Sequence, residues 1–441
     1  MTRRLLALWL LGLFVVGSAK APVRAAQTAS KYDRDAGHLI LRNIKDCLKK
    51  NYYDPQFHGV NIDDIFKAAD ASIDGATSNG QIFGIIEKAL LSLNDTHTFF
   101  LPPPHALRVS YDWHIQIVGD RCYVLAVKPA TDAEAKGLKA GDIVDVVDGY
   151  KLTRDNFWLF NYLYQVLQPR PQLNVVVESP GEQPRRVEYS ASTRQGKKEL
   201  DFMSGTDIAD VVRDAEASER VYEHRIKEYG DALYVWNMPQ FDLAPDRVND
   251  IVGKAAGHRA MILDLRGNPG GRVDTLLQLV GDVFDHDVTL GERKRRKDSK
   301  PLVAKSRGRN AFSGTLVVLI DSGSASCSEL FARTVQLEKR GTVIGDHSAG
   351  AVMESLRYRF SVGENSLIAF GASVTDADIV MPDGKSLEHV GVTPDEMLLP
   401  TGADLREHAD PVLSRAALLA DVKLSPKQAG ELFPPRWALR P

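Results

Sequence analysis

The 441-residue sequence contains only three cysteines, Cys47, Cys122 and Cys327. No C-x-x-C pair is present, and so few cysteines exclude the disulfide framework of small secreted domains. A bridge between Cys47 and Cys122 is conceivable, and the sequence leaves it open. No H-E-x-x-H motif or comparable spacing of His, Asp and Glu occurs either, so we predict no catalytic metal.

Long apolar runs are also absent. The uncharged apolar run from Leu5 to Val16 has twelve residues, and a membrane-spanning helix needs about 20. This run follows a basic start at Arg3 and Arg4, and Val23-Arg24-Ala25 fits an A-x-A-like cleavage site. We therefore predict a secretory signal peptide over residues 1–25 and an exported protein, periplasmic or extracellular, without stable membrane insertion.

An excess of positive charge is missing as well. Lysine and arginine number 55 against 58 aspartates and glutamates, which gives a net charge of −3. The predicted leader contains four basic residues and no acidic one, so the remainder carries about −7. This charge argues against nucleic acid as a general partner. Neither G-x-x-x-x-G-K-[ST] nor G-x-G-x-x-G fits the glycine-rich segments, so we expect no nucleotide cofactor.

The apolar fraction of 44% permits two or three domains with hydrophobic cores. Apolar residues at helical spacing predict a helical region over residues 30–104. Strands and turns alternate over residues 105–192. Apolar strands then alternate with helices within residues 193–400, which indicates an α/β core. This core segment includes a charged stretch, Glu199 to Tyr229, predicted to be a helix-bearing hinge, and short helices with a proline-rich end follow over residues 401–441.

A strand-to-helix transition provides the first candidate for catalysis. The apolar run Leu316 to Ile320 ends in a Ser/Gly/Ala cluster and passes into a helical pattern, which places Ser326 on the first turn of a helix. N–H groups and the positive end of the helix dipole stabilise an oxyanion there, so Ser326 is the candidate nucleophile. The same residues fit a structural role, since Ser326 and Glu329 form an S-x-x-E capping box. Cys327 is a rival nucleophile, although a small buried residue is its more ordinary interpretation.

A glycine-rich turn provides the second candidate. The apolar run Met261 to Leu265 ends at Arg266 and continues as Gly-Asn-Pro-Gly-Gly before another helical stretch. Glycine permits positive φ and close approach of the backbone to a ligand. Gly270 or Gly271 could therefore supply a backbone donor to a substrate carbonyl. Taken alone, the pattern also fits an ordinary tight connection between a strand and a helix.

Together these segments resemble the C-terminal-processing (tail-specific) serine proteases. The shared motifs are LDLRGNPGG, then SASCSE about fifty residues later, then G-x-x-x-x-G. Residues 136–149, KGLKAGDIVDVVDG, resemble the late part of a PDZ domain, and residues 384–396, GKSLEHVGVTPDE, resemble the closing motif of the protease domain. The motifs stand in the family's order. The resemblance implies a crotonase/ClpP-like α/β protease core with an inserted PDZ-like β domain, an N-terminal helical region and no cofactor.

One position departs from the better-known members of this family. They use a Ser–Lys dyad with the lysine in a T-x-G-K segment, whereas the corresponding segment here, residues 347–351, places Ala351 at the lysine position. A dyad with lysine at that position is therefore excluded. The tricorn-type branch of the same superfamily uses a histidine preceded by a hydroxyl residue, together with a glutamate near the end of the core. The resemblance to this branch places the base at His97, with Thr96 and Glu388 as its partners.

These residues imply a coherent reaction. His97 would accept the Ser326 proton, and a polar or acidic partner would fix its tautomer. Histidine suits this task because its ordinary pKa is about 6.5. Asp95 is an alternative orienting group, and His347 is an alternative base because it follows a strand end close to the nucleophile in sequence. The oxyanion hole would comprise the N–H groups of Cys327 and of Gly270 or Gly271.

The PDZ-like segment indicates polypeptide partners. Such domains bind extended peptides by strand addition and capture a C-terminal carboxylate with backbone N–H groups. The usual glycine-rich carboxylate loop is absent here, so a degenerate domain that only regulates access is an alternative. The loop position is occupied by Trp113, His114, Ile115, Gln116 and Ile117.

We therefore predict an exported serine endopeptidase that acts on polypeptides near their C-termini or in unfolded segments, through an acyl-enzyme on Ser326. Two alternatives stay open. One is a catalytically inactive protein that keeps the protease fold to bind peptides or other ligands, and the other is a PDZ scaffold that tethers exported partners.

Overall fold

The computed structural model describes residues 29–103, 107–195, 222–362 and 368–437. The predicted signal peptide lies outside these ranges, as does most of the predicted hinge. The described end of the hinge is not helical, because Arg225–Tyr229 forms strand β10 and pairs with the first strand of the core. The three cysteines are buried, unpaired thiols, so Cys47 and Cys122 form no bridge.

The N-terminal region consists of helices α1 (Lys31–Asn51), α2 (Ile62–Ile73) and α3 (Asn79–Leu91). Each begins at a polar cap: the Ser30, Asn61 and Ser78 side chains accept hydrogen bonds from N–H groups of the first turns. Helix α1 turns an apolar face inward because its apolar residues recur at helical spacing. The buried residues of this face include Ile40, Ile44 and Leu48.

The middle region is built on an antiparallel sheet of the order β3-β4-β5-β7-β8, with β6 paired to β5. Helix α4 (Asp132–Ala135) follows β4, and helix α5 (Phe157–Asn161) continues as a π-helical stretch to Leu167. A two-stranded pair, β2 with β9, flanks this sheet. The strands are β2 (Leu107–Ser110), β3 (Trp113–Val118), β4 (Arg121–Val127), β5 (Ile143–Val147), β6 (Tyr150–Lys151), β7 (Gln172–Glu178), β8 (Arg185–Ser190) and β9 (Ser192–Gln195).

The core sheet has the order β10-β11-β12-β15-β16-β19, in which the strands from β11 to β19 run parallel. Helices cover both of its faces, so its strands read as continuous apolar runs. The strands are β11 (Leu233–Asn237), β12 (Ala260–Asp264), β15 (Thr315–Ile320), β16 (Thr342–Gly345) and β19 (Glu396–Met397). The helices are α6 (Pro245–Ala255), α7 (Val273–Val283) and α8 (Cys327–Leu337), with α9 (Gly402–Arg406), α10 (Pro411–Leu419) and α11 (Pro426–Gly430) at the C-terminal end.

A second, antiparallel sheet joins the N-terminal helices to the core. Its order is β1-β18-β13-β14, with β17 also paired to β18, and β1 lies against β18 from Phe99↔Ser373 to Leu101↔Gly371. The predicted helical region therefore ends in a strand of a core sheet. Its strands are β1 (Phe99–Leu101), β13 (Val288–Arg295), β14 (Ser299–Ala304), β17 (Glu354–Val362) and β18 (Ile368–Val380). This pairing positions the turn before β1, which carries the candidate histidine.

The mixed helices and sheets confirm the α/β fold class. Among the described residues, no helix combines the length and apolarity that crossing a bilayer would require. The carboxyl ends of parallel strands β12, β15 and β16 lie side by side at one end of the core sheet. Ligands bind at this end of the strands in open α/β sheets. Both candidate motifs, the glycine turn and the Ser326 segment, follow strands whose carboxyl ends lie here.

Candidate active site

Ser326 occupies a strained turn between β15 and α8. Its φ of 56° and ψ of −116° lie outside the regions that residues with a side chain ordinarily adopt. Such strain in a strand-to-helix turn characterises the nucleophile elbow of serine hydrolases, where it exposes the hydroxyl above the sheet. Two hydrogen bonds hold the turn: the Ser326 N–H donates to the Ala351 carbonyl at 2.8 Å and to Glu329 Oε2 at 3.0 Å.

The side chains of the neighbouring serines Ser324 and Ser328 are hydrogen-bonded to main-chain carbonyl groups. The Ser324 hydroxyl donates to the Leu265 carbonyl at 2.8 Å, and the Ser328 hydroxyl donates to the Asn268 carbonyl at 3.0 Å. Both side chains are fully buried, whereas Ser326 is half-buried. These two hydroxyls tie the elbow to the glycine turn, and Ser326 is the serine of this cluster that can meet a substrate.

Glu329 forms the acidic half of the predicted capping box and does more than cap the helix. Its buried carboxylate accepts four hydrogen bonds, from the N–H groups of Ser326, Gly350 and Ala351 and from the Ser348 hydroxyl. Burial raises the pKa of Glu329 to about 7, while these donors oppose the rise. The carboxylate therefore ties residues 348–351, which include the position of the lysine in the Ser–Lys proteases that the sequence resembles, directly to the elbow.

The glycine turn packs against the elbow. Gly270 has φ +93°, and a Cβ there would lie 2.6 Å from the Ser326 Cβ. The Gly270 N–H donates to Asn268 Oδ1 at 2.8 Å, so this amide is already committed. Gly271 is exposed, and Cys327 is the first residue of α8, where an N–H has no acceptor within the helix. Of the predicted oxyanion donors, Gly271 and Cys327 are the available pair.

The Cys327 thiol is unsuited to act as the nucleophile. It is 2% exposed, and burial raises its pKa to about 12. A thiol attacks as the thiolate, which is scarce at neutral pH when the pKa is so high. The side chain contributes packing, and its sulfur lies 3.5 Å from the Gly271 carbonyl oxygen.

His97 lies in the turn before β1 and is linked to both of its predicted partners. The Thr96 hydroxyl lies 2.8 Å from His97 Nδ1 and donates to Glu388 Oε2 at 3.0 Å. The Thr96 N–H also donates to Glu388 Oε1 at 3.0 Å. Burial lowers the pKa of His97, although the nearby Asp95 opposes this shift, and burial raises the pKa of Glu388 to about 7. A histidine with a lowered pKa is neutral at pH 7, as a general base must be.

Two consecutive residues connect the histidine to the nucleophile. Ala351 accepts the hydrogen bond from Ser326, and the N–H of Val352 donates to Glu388 Oε2 at 3.0 Å. Hydrogen bonds thus link Ser326 to His97 through this dipeptide, Glu388 and Thr96. Within the described ranges no hydrogen bond joins the Ser326 hydroxyl to the His97 ring directly. This indirect path connects two residues that lie 229 positions apart in the sequence.

Asp95, the alternative orienting group, supports the turn and not the imidazole ring. Its carboxylate accepts hydrogen bonds from the main-chain N–H groups of His97 and Thr98 and from the hydroxyls of Thr375 and Tyr52. The His97 main-chain nitrogen lies 2.8 Å from Asp95 Oδ1. Thr375 belongs to β18, so Asp95 fixes the turn to the core sheet.

His347, the alternative base, belongs to a different network. Its Nδ1 lies 3.2 Å from the Thr393 hydroxyl, and its carbonyl accepts a hydrogen bond from Arg154 at 3.0 Å. Arg154 also pairs with Asp346 at 2.7 Å. These contacts join the middle region to the end of β16, and none of them involves a described residue of the hydrogen-bonded path from Ser326 to His97.

The predicted peptide-binding residues form the edge strand β3 of the middle sheet. Its free edge faces the loop before the elbow: the Ser322 hydroxyl donates to the Ile117 carbonyl at 2.5 Å and accepts from Gln116 Nε2 at 3.3 Å. The His114 ring stacks on Trp437 with centroids 4.1 Å apart, while Trp113 is buried and Ile115 is half-buried. Strand addition at this edge would have to displace contacts of this chain.

The sequence did not reveal two supporting groups. Glu329 was visible as a cap, but its role in holding residues 348–351 depends on where those residues fold. Asn268 is fully buried and bridges the Met238 carbonyl and the Gly270 N–H, each at 2.8 Å. Its place in the Gly-Asn-Pro-Gly-Gly turn was the only signal available, because an Asn side chain can hydrogen-bond the backbone two residues on.

Comparisons with known proteins concern the family and the fold of the chain. The profile of peptidase family S41 matches residues 233–398. The C-terminal processing peptidase of Tetradesmus obliquus, a chloroplastic protein, is 25% identical over 386 residues, which cover 82% of this chain and 77% of that protein. The carboxy-terminal-processing protease of Bartonella bacilliformis is 24% identical over 290 residues, 64% of this chain and 59% of that protein. The crystal structure of mature CPAF superimposes with a TM-score of 0.64 at 15% identity, covering 85% of this chain and 95% of that one, and so supports the fold.

Proposed function

We propose that the chain is an exported serine endopeptidase that cleaves polypeptides near their C-termini or in unfolded segments. The match of residues 233–398 to peptidase family S41 and the similarity to C-terminal-processing proteases support a serine peptidase. The observation that carries the catalytic proposal is the hydrogen-bonded path from Ser326 through Glu388 and Thr96 to His97. Export rests on the signal-peptide pattern of residues 1–25.

The hydrogen bonds favour one tautomer of His97. Thr96 has a single hydroxyl proton, and it donates this proton to Glu388. The same oxygen can then only accept at its contact with His97 Nδ1, so Nδ1 carries the ring proton. Nε2 is left with its lone pair and serves as the base. In this arrangement Thr96 and Glu388 act as Asp does in a Ser-His-Asp triad, through a hydroxyl relay.

The reaction follows from these roles. His97 Nε2 takes the Ser326 proton as Oγ attacks the scissile carbonyl carbon, and the carbonyl oxygen becomes an oxyanion. The N–H groups of Cys327 and Gly271 receive that charge. His97 then gives its proton to the leaving amine, the C–N bond breaks, and an acyl-enzyme forms on Ser326. Water, deprotonated by His97, hydrolyses the ester and restores the enzyme.

Ala351 fits this assignment. Its methyl side chain can neither accept nor donate a proton, but its main chain accepts the Ser326 N–H and donates to Glu329 at 2.9 Å. The segment that would supply a lysine in a Ser–Lys enzyme here only holds the elbow. A base must therefore come from elsewhere, and His97 is the titratable group whose partners reach this segment.

The middle sheet has the size and position expected of the PDZ-like domain, and we assign it to substrate access. The β3 edge contacts Ser322 and Trp437 of the same chain, so a peptide that adds as a strand must compete with them. This arrangement favours the alternative in which the domain regulates access over unconditional capture of a C-terminal carboxylate.

Fluorophosphonate labelling tests the proposal. We expect the wild type to be labelled, Ser326→Ala and His97→Ala to lose labelling, and His347→Ala to keep it. Cleavage of an unfolded protein substrate should follow the same pattern. If the wild type is neither labelled nor active on that substrate, the chain is instead a binding protein in a protease fold, the interpretation that the missing lysine favours. If His347→Ala and not His97→Ala abolishes labelling, the base is misassigned.

A further inference from the structure

A basic groove lies at the end of the core sheet opposite the candidate active site. Its volume is about 610 Å³, within the range of small-molecule sites. Arg259 directly precedes β12, and Ser313 lies just before β15, whereas the catalytic motifs follow the other ends of these strands. A strand of five or six residues spans about 17–20 Å, so the groove is separate from the catalytic residues.

The lining of the groove is positive in a chain that is negative overall. Of the described residues that line it, three are arginines, Arg259, Arg307 and Arg309, and none is an aspartate or glutamate. Arg307 has a loose partner in the buried Asp282, with 3.5 Å between Nη1 and Oδ1. Within the described ranges, neither Arg259 nor Arg309 has an acidic partner. Positive charge in a concave surface attracts anions more strongly than the same charge on a flat one.

The remaining polar side chains of the groove are those of His258, Asn310 and Ser313. The side chains of Asn310 and Ser313 make no hydrogen bond to any described residue. His258 has a side chain that is only 8% exposed, and its Nε2 is a buried nitrogen without a hydrogen-bond partner among the described residues. The nearest carboxylate, that of the exposed Glu228, lies 3.6 Å from this nitrogen, beyond hydrogen-bonding distance. Glu228 does not line the groove, so the arginines, and not His258, carry the positive charge that a ligand would meet.

The main chain around the arginines is held in place. The Arg259 N–H donates to the Asp231 carbonyl and its carbonyl accepts from Thr315, both at 2.9 Å. Gly314 packs so closely that a Cβ would lie 2.5 Å from the Arg259 carbonyl oxygen. The Arg307 N–H donates to the Gly281 carbonyl at 3.0 Å, which anchors the loop before β15. The main chain that carries the arginines is therefore fixed, while Arg259, Arg307 and Arg309 are themselves exposed.

We propose that this groove binds a phosphate-bearing anion through the guanidinium groups of Arg259, Arg307 and Arg309, with Asn310 and Ser313 as further hydrogen-bond donors. Guanidinium groups present paired N–H donors that match two oxygens of a phosphate. The groove is larger than one phosphate ion, so it suits a phosphate carried on a larger molecule, either a soluble phosphorylated compound or a lipid headgroup. This site is independent of the proposed proteolysis.

The test compares Arg259→Gln/Arg309→Gln with the wild type and with Arg357→Gln/Arg359→Gln. The control pair removes the same charge from two exposed arginines of β17, outside the groove. Calorimetric titration with pyrophosphate at low ionic strength measures the soluble ligand. Co-sedimentation with phosphatidylcholine vesicles, with and without phosphatidic acid, measures the headgroup. Arg309→Gln alone, in an exposed turn, provides a milder variant if the double variant folds poorly.

We expect saturable binding by the wild type, weakened at least about tenfold in the groove variant and less than about twofold in the control. If only pyrophosphate binding depends on Arg259 and Arg309, the ligand is a soluble phosphorylated compound. If only vesicle binding depends on them, the ligand is a lipid headgroup. If both depend on them, the groove recognises a phosphate group in either setting. Binding in neither experiment overturns the proposal, as does an equal loss in the groove variant and the control. Fluorophosphonate labelling of the groove variant should be unchanged, which separates this result from the fate of the catalytic assignment.

Discussion

The two halves of the candidate active site are built in different ways. The nucleophile half, comprising the Ser326 elbow, Glu329 and residues 348–351, comes from one stretch of the chain and the loop that follows the next strand. The base half, comprising His97, Thr96 and Glu388, joins two segments 292 residues apart, as the Thr96–Glu388 hydrogen bonds show. The first half is held by local turns and a buried carboxylate, and the second depends on the pairing of β1 with β18.

Each half has one carboxylate whose pKa burial raises to about 7, and the two have different tasks. Glu329 accepts four donors and holds main chain in place. Glu388 accepts from the Thr96 hydroxyl and so reaches the histidine ring. Burial thus has the same effect on both carboxyl groups, but their roles differ because their contacts differ. Glu329 positions main chain, whereas Glu388 acts on the histidine through the Thr96 hydroxyl.

Gly270→Ala should have the largest effect, because it disturbs the nucleophile half directly. The new Cβ would lie 2.6 Å from the Ser326 Cβ and 2.9 Å from the Ala325 carbonyl oxygen. Displacement of the elbow should lower kcat/KM on the order of 10³-fold. Gly267→Ala is the matched control, since Gly267 also has a positive φ of +68° but a Cβ there meets nothing within 4 Å. Equal losses in the two variants would show that backbone strain and not contact with Ser326 is responsible.

Thr96→Val should have the next largest effect and tests the base half. Loss of the hydroxyl removes the relay between His97 and Glu388, so we expect kcat to fall on the order of 10²-fold. Thr96→Ser keeps the hydroxyl and should restore most of the activity. Thr393→Val, which removes the hydroxyl that contacts His347, should have little effect. Steady-state kinetics on an unfolded polypeptide would measure these values, and a large loss in Thr393→Val would move the base to His347.

Stability and activity should change in opposite directions as the pH rises. The folded-state pKa of Glu388 is about 7, above its ordinary value of 4.5. Its contribution to stability is therefore fully present below about pH 4.5 and lost as the pH rises through about 7. Activity should rise over the same range because His97 must be neutral and Glu388 ionised.

Denaturant unfolding of the wild type and Glu388→Gln between pH 4.5 and 7.5 would measure this effect. As the pH rises over this range, the unfolding free energy of the wild type should fall by up to about 3 kcal/mol relative to that of the variant. Glu396→Gln, at a partly exposed carboxylate paired with Arg415, is the control and should leave the slope unchanged. If the unfolding free energies of the wild type and Glu388→Gln change with pH in the same way, the buried carboxyl group does not titrate in this range.

Ser348→Ala should have the smallest effect. It removes one of the four donors to Glu329, at 2.5 Å, and the acceptor of the Val392 N–H, at 2.6 Å, and leaves the three N–H groups that bind Glu329 in place. We expect a loss of about 1–2 kcal/mol in unfolding free energy and only a modest change in kcat. Ser72→Ala, which removes an exposed hydroxyl that donates to a main-chain carbonyl in α2, should lose less. A loss in Ser348→Ala as small as in Ser72→Ala would show that the hydroxyl adds little to the nucleophile half.

Much of the nucleophile half could be predicted from the sequence. An apolar strand followed by small residues and an S-x-x-E pattern places Ser326 at a helix start, because such turns are encoded by adjacent residues. The hinge shows the limit of this reasoning. Residues 225–229 belong to the charged stretch that was expected to be a helix-bearing hinge, yet they form a strand because β11, the outermost parallel strand of the core sheet, offers them a partner.

The sequence by itself determined the local geometry: the elbow, the glycine turn and the capped helices follow from residues close together in the chain. Only the tertiary structure decided that His97 and Glu388 meet beside Ala351 and Val352, that β3 turns its edge toward Ser322, and that arginines 259, 307 and 309 share one groove. The physical reason is that turns and caps depend on backbone preferences within a few residues, whereas strand pairing and register depend on partners anywhere in the chain.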